Sequence, residues 1–261
     1  MPTPQGAFVW YELMTTDPDA AAAFYTKVVG WTAADSKMPD MKYTLLSAGP
    51  DQVGGIMAIP DEARKMGATP SWEGYIAVAD VDAQAARITA AGGKMHHAPS
   101  DIPGIGRFAV MADPHGANFT IFRGAPGDEA PPAAAMGTAG HVGWHELNAG
   151  DGAVAWDFYA AQFGWEKHEA MDMGPAGTYQ MFGVAGSGNA SMGGMMTKMP
   201  EIPHPHWLYY VNVEAIDAAV GRINAAGGKV VNGPMEVPGG SWIVNAIDPQ
   251  GAMFALVAPK R

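Results

Sequence analysis

Trp10-Tyr11-Glu12-Leu13, Asp17, Phe24-Tyr25 and Gly30-Trp31 return as Trp144-His145-Glu146-Leu147, Asp151, Phe158-Tyr159 and Gly164-Trp165, each residue 134 positions later. A second block, Trp72, Tyr75, Asp82, Arg87 and Ala91-Gly92-Gly93-Lys94, returns 135 positions later as Trp207, Tyr210, Asp217, Arg222 and Ala226-Gly227-Gly228-Lys229. Asp113-Pro114, Gly116 and Phe119 come back as Asp248-Pro249, Gly251 and Phe254, so the repeat runs to the end of both halves. Self-similarity of this kind means two copies of one structural unit. Between them the stretch from Gly124 to Gly140 is rich in Ala, Pro and Gly and lacks strand or helix periodicity. The expected organisation is a first domain over 1–124, a linker over 125–139 and a second domain over 140–261.

Within each half the pattern is strand, helix, then short strands, twice over. Residues 7–14 alternate, with Phe8, Trp10, Glu12 and Met14 on one face and Val9, Tyr11 and Leu13 on the other. Asp17-Pro18 supplies an N-cap acceptor and a first-turn proline, and Phe24, Tyr25 and Val28 follow at helical spacing before Gly30. Two β-type runs come next, Tyr43 to Ala48 and Val53 to Ile59. The order then repeats: a strand over Gly74 to Ala79, a cap at Asp80 or Asp82, a helix to Ala91, the Gly92-Gly93 stop, and strands near Phe108 to Met111 and Ala117 to Phe122. Each half therefore reads as βαβββ twice, an α+β fold. Asp17, Asp80, Asp82, Asp151 and Asp217 all read as helix caps.

The order and doubling of the W-x-E-L, FY, GW, AAGGK and DP-x-G segments resemble the glyoxalase/bleomycin-resistance/extradiol dioxygenase (vicinal oxygen chelate) superfamily, specifically its tandem glyoxalase-like members. The resemblance covers both halves nearly end to end. It implies that each half folds two βαβββ modules into a half-barrel cup with helices outside and a ligand within. It also implies a divalent metal held by His or Glu at four cup-facing strand positions. Counted from the shared Asp landmarks, those positions fall on Trp10 and Trp144, on Gly74 and Tyr209, on Thr120 and Ala255, and on the middle-strand runs Gly54-Gly55-Ile56-Met57 and Gly193-Gly194-Met195-Met196. Trp, Gly, Ala and Met are poor ligands for Mg, Mn, Fe or Zn. The expectation is a cup without the family's metal and without another cofactor.

Glu12 and Glu146 are the candidate catalytic residues, because alternation puts each on the face of Trp10 or Trp144. An ionised carboxylate in aromatic, methionine-lined surroundings needs a partner or shifts its pKa. It then acts either as a general base or substrate anchor, or as a structural acceptor for a neighbouring strand, Tyr43, Tyr179 or a nearby His. Trp10, Trp144, Met14, Asn148, Tyr209 and Thr120 are the candidate ligand contacts, with Arg107 as a rim cation for a substrate carboxylate or a simple salt bridge. The histidines carry less. His204-Pro205-His206 reads as a loop, His96-His97 as a surface strand, His145 as packing against the helix and His115 as part of a turn.

Composition bounds the partners. The 261 residues are 48% hydrophobic and 16% charged, enough apolar material for two medium domains. Fifteen Lys+Arg against 26 Asp+Glu give a formal charge of -11, the wrong sign for nucleic acid or an anionic membrane. With no cysteine, disulfides and thiol nucleophiles are excluded. The start, Met1-Pro2-Thr3-Pro4-Gln5, lacks the basic stretch and apolar core of a signal peptide, so a cytoplasmic location is expected. Three readings stay open: a metal-free cup for an apolar or aromatic small molecule with acid-base chemistry at Glu12 or Glu146, a non-catalytic ligand-sequestering protein, and a metal-dependent lyase, isomerase or dioxygenase with displaced ligands. A monomer with pseudo-dimeric halves and a homodimer both fit.

Overall fold

The computed structural model describes residues 5–38, 41–125, 127, 134–186, 188 and 190–261. The reading of Met1 to Pro4, and much of the expected linker over 125–139, lie outside these residues. The first half runs β1 (Phe8–Thr15), α1 (Pro18–Val28), β2 (Thr32–Asp35), β3 (Tyr43–Ala48), β4 (Asp51–Ala58), a short α2 (Asp61–Lys65), β5 (Ser71–Ala77), α3 (Val81–Ala90), β6 (Lys94–Ile102), β7 (Gly106–Ala112) and β8 (Asn118–Gly124). The second runs β9 (Val142–Ala149), α4 (Gly152–Phe163), β10 (Trp165–Asp172), β11 (Thr178–Val184), β12 (Gly193–Thr197), β13 (His206–Asn212), α5 (Ile216–Ala225), β14 (Lys229–Glu236), β15 (Trp242–Ile247) and β16 (Met253–Ala258). Each tandem domain carries one eight-stranded sheet, ordered β2-β3-β4-β1-β5-β8-β7-β6 and β10-β11-β12-β9-β13-β16-β15-β14. No helix among the described residues is long and apolar enough to cross a membrane.

Capping explains where the helices begin. Asp17 Oδ1 accepts from the Ala20 amide at 3.0 Å with Pro18 in the first turn, Asp80 Oδ1 accepts from Ala83 at 2.9 Å, and Asp151 Oδ1 accepts from Ala153 and Val154. Asp82 and Asp217 are not caps. Asp82 lies inside the first turn of α3 and takes a two-pronged bond from Arg107, at 2.7 and 2.8 Å. Asp217 pairs with Arg261, and α5 starts after Ala215 with no side-chain cap. Both α3 and α5 end at the glycine pair, where Gly92 and Gly227 take φ of +89° and +86°, a conformation that favours glycine.

The chain packs as two compact units, and each draws on both halves. One holds the described residues of Trp10–Glu73, Ala133–Gly143 and Leu208–Arg261. Its core joins Leu13, Phe24, Tyr25, Val28 and Trp31 to Val211, Ile216, Ile223, Phe254 and Leu256. On α1 the buried positions Ala21, Phe24, Tyr25 and Val28 fall at intervals of three and four, so one helical stripe faces inward. Each large side chain so buried contributes roughly 1.5–3 kcal/mol. The other unit holds the described residues of Met1–Val9, Gly74–Pro132 and Trp144–Trp207. There Tyr159 stacks on Trp165 at 5.3 Å and meets Phe119 and Trp207.

A polar thread runs through each core. Trp72 Nε1 donates to the Tyr25 hydroxyl at 2.9 Å, which donates to Asp248 Oδ2 at 3.1 Å. Asp248 Oδ1 accepts the Gln250 and Ala252 amides, both at 2.9 Å. In the other unit Trp207 donates to Tyr159 at 3.0 Å and Tyr159 to Asp113 Oδ2 at 3.3 Å, while Asp113 Oδ1 takes the His115 and Ala117 amides. The FY and DP-x-G motifs thus bind one another. Trp72 and Trp207 spend their indole N–H groups here, as core donors.

Candidate functional site

A second indole-phenol-carboxylate thread occurs once in each unit. On β1 and β9, alternation puts Trp10, Glu12 and Met14, and likewise Trp144, Glu146 and Asn148, on one face. The parallel register pairs Glu12 with Gly55 and Glu146 with Gly194. Tyr43 of β3 lies over Gly55 and Tyr179 of β11 over Gly194, so closely that a Cβ on either glycine would collide with the tyrosine ring. Each hydroxyl thereby reaches its strand's Trp and Glu. Trp144 Nε1 donates to Tyr179 at 2.7 Å, and Tyr179 donates to Glu146 Oε2 at 3.2 Å. Trp10 Nε1 donates to Tyr43 at 2.9 Å, and Tyr43 hydrogen-bonds Glu12.

Burial, then the carboxylate charge, pushes the Tyr43 and Tyr179 hydroxyls above their usual range. Both phenols therefore stay protonated at neutral pH and act as donors to the carboxylates. Chains of this kind polarise along their length, which strengthens the bond received by the acid at the end. The carboxylates thus have the tyrosine partners expected of a structural acceptor. They also have the fixed orientation a base needs, and the geometry serves either role. Gly194→Ala should displace the Tyr179 ring and lower stability by about 1–3 kcal/mol, read from urea unfolding, with a matching change in tryptophan fluorescence.

The two threads differ at one position. Met14 is half-buried and in register with Met57, whereas Asn148 is buried and in register with Met196. Asn148 Nδ2 reaches Glu146 Oε1 at 3.5 Å, at the limit of a hydrogen bond.

The remaining expected contacts distribute unevenly. Register pairs Tyr75 with Thr120 and Tyr210 with Ala255, so Tyr75 and Tyr210 share those faces. Tyr209, next to Tyr210 on β13, is buried and edge-on to Tyr11 at 5.3 Å. Thr120 is buried at its register position. Arg107 is engaged by Asp82 and, at 2.9 Å, by Asp101, which is the salt-bridge alternative. His145 is buried, stacked on Phe8 of β1 at 4.2 Å with Nδ1 on the Met192 carbonyl at 2.7 Å. Burial lowers its pKa to about 4. His96 and His97 are exposed, and His97 stacks on Phe108.

The positions carried over by count from the resembled superfamily, Trp10 and Trp144, Gly74 and Tyr209, Thr120 and Ala255, include no His, Asp or Glu. This donor set does not fit a divalent cation, which takes imidazole and carboxylate ligands. Among the described residues no three His, Cys, Asp or Glu side chains gather where a metal ion would bind.

Comparison with known proteins adds the following. The model of the Glyoxalase/Bleomycin resistance protein/Dioxygenase superfamily matches residues 7–121 and 138–256. A Mycobacterium tuberculosis (strain CDC 1551 / Oshkosh) protein called "Putative glyoxylase CFP32" is 33% identical over 258 residues, covering 98% of this chain and 95% of that one. The anthracycline biosynthesis protein DnrV of Streptomyces peucetius is 32% identical over 266 residues, covering 97% and 93%. Among solved structures, the Mn(II)-bound glyoxalase from Novosphingobium aromaticivorans superposes with a TM-score of 0.65 at 17% identity, over 98% of this chain and 83% of its own. At that identity the likeness concerns the fold alone.

Proposed function

Because the chain belongs to the glyoxalase/bleomycin resistance protein/dioxygenase superfamily, we propose that it binds a small, largely apolar or aromatic molecule and performs acid-base chemistry on it at a carboxylate, without the family's usual metal. The observation that carries this reading is the repeated thread in which an indole and a phenol orient Glu12 or Glu146 on a face shared with methionines. Trp10 and Trp144, with Met14 and Asn148 beside them, offer flat surface and one amide to a ligand. Thr120 and Tyr209 belong to the proposed ligand contacts. A relative named for anthracycline biosynthesis supports an aromatic ligand. The charge of -11 argues against nucleic acid or an anionic membrane as partner, and we place the protein in the cytoplasm.

The test is a thermal-shift screen of small aromatic compounds followed by turnover assays on wild type, Glu12→Gln and Glu146→Gln. Removal of a general base is expected to lower turnover about 10²- to 10⁴-fold in the competent half with the fold intact. Turnover that is unchanged in both variants, or absent from wild type despite binding, would replace this reading with simple sequestration. Near-stoichiometric transition metal in chelator-free protein would favour a metal-dependent lyase, isomerase or dioxygenase with displaced ligands.

A further inference from the structure

None of the thread residues lines a groove of about 610 Å³ between α3 and the C-terminal end of α4. Asp80, the cap of α3, and Gln84 and Arg87 follow one another at intervals of four and three residues, so they share the helix face that forms one wall. Gln5, Gln162 and Phe163 line it too. Gln84 Nε2 donates to the Gln162 carbonyl and to Gln162 Oε1, both at 3.1 Å, which uses both of its hydrogens. Gln84 Oε1 and Gln162 Nε2 are left over: no hydrogen bond among the described residues engages either, yet neither is sealed from solvent. The two side chains are otherwise buried, so these atoms open into the groove as an acceptor and a donor side by side. The charged groups are also only partly used. Asp80 Oδ1 accepts the Ala83 amide, leaving Oδ2, and Arg87 Nη2 holds the Ala161 carbonyl at 2.9 Å, leaving Nε and Nη1. The other compact unit supplies the comparison. Its matching positions hold Ala215, Ala219 and Val28 for Asp80, Gln84 and Gln162, with Ala219 and Val28 fully buried, while Arg222 still bonds a helix carbonyl, that of Val28, at 2.8 Å. The helices therefore pack there without amides, and a buried amide pair adds little over apolar groups of matching shape.

We infer that this groove is a further binding site, for a zwitterion of dipeptide length, with its ammonium at Asp80, its peptide group on Gln84 and Gln162, and its carboxylate at Arg87. The peptide carbonyl accepts from Gln162 Nε2 and the peptide N–H donates to Gln84 Oε1, the one pairing that uses both leftover atoms. Arg87 keeps two donors for the carboxylate, a geometry that suits guanidinium better than ammonium. Seven residues of helix set Asp80 and Arg87 about 10 Å apart. A two-residue chain spans roughly 7 Å, and an ion pair at each end closes the difference. A single amino acid is too short to reach both. The site is independent of the chemistry proposed for Glu12 and Glu146.

Isothermal titration calorimetry of the full chain with alanyl-alanine, with N-acetylalaninamide, which has peptide groups but no charge, and with alanine tests it. Wild type is expected to bind alanyl-alanine about 10-fold or more tightly than either of the others. Gln84→Ala combined with Gln162→Val, which installs the residues of the other unit, should abolish the binding. Asp80→Asn, which keeps the helix cap, and Arg87→Gln should each weaken it about 10-fold. Wild type that takes up no alanyl-alanine at millimolar concentration, or that binds the uncharged compound or alanine equally well, overturns the inference. So does affinity that survives the double variant. The wild-type comparison decides the matter even if a variant fails to fold.

Discussion

Acidification from pH 7 to pH 4.5 is expected to cost the protein about 2 kcal/mol of stability through His145 alone. The imidazole is buried, stacked on Phe8, and bonded through Nδ1 to the Met192 carbonyl, which can only accept. Burial holds its pKa at about 4, against about 6.5 in an unfolded chain. Between those values the unfolded state binds a proton that the folded state refuses. Stability is therefore retained above about pH 6.5 and lost progressively as pH falls toward 4. His206, also lowered by burial, acts in the same direction. Asp248, raised by burial, acts oppositely, since its folded form takes up a proton more readily than the unfolded chain. Urea unfolding midpoints across this range provide the measurement. His145→Phe should flatten most of the slope while losing about 1 kcal/mol at pH 7 for the missing hydrogen bond. An unchanged slope would show that another group carries the dependence.

Asp248→Ala should be among the most damaging single changes, at about 3 kcal/mol or more. The carboxylate accepts the Tyr25 hydroxyl and two amides of its own turn, and Trp72 donates into the same tyrosine. Its removal strands the phenol and both amides inside a core formed by Phe24, Trp31 and Phe254. Asp248→Asn keeps the size and one acceptor oxygen, so a smaller loss is expected. Chemical denaturation of the two variants ranks them, and an alanine variant within 1 kcal/mol of wild type would refute the account.

The repeat, the caps at Asp17, Asp80 and Asp151 and the βαβββ order were legible because each is local, whereas Asp82 and Asp217, which the same rule reads as caps, are ion-pair partners. Strand β2 was not, since all four of its residues are exposed and it offers no alternation to read. The phase of β13 was lost for the opposite reason. Leu208, Tyr209, Tyr210 and Val211 are all buried, so no polar residue marks which face is which. At the candidate site, the partnership of Glu12 with Tyr43 and of Glu146 with Tyr179 was among the alternatives read from sequence. The cause of the Gly-Gly pairs was not: Gly55 and Gly194 had counted as missing ligands, whereas they make room for tyrosine rings. The bond from Tyr25 to Asp248 spans 223 residues and leaves no trace in either neighbourhood.

Since each compact unit takes one module from either half, a lone copy of the repeat would have to find its missing modules in an identical molecule. In such an assembly every mutation is inherited by both units at once, and neither is free to change without the other. Joining two copies in one reading frame ends that constraint. Met14 and Asn148 can then part company while the cores that depend on matching modules stay as they were, so gene fusion here is a licence for divergence rather than a gain in strength.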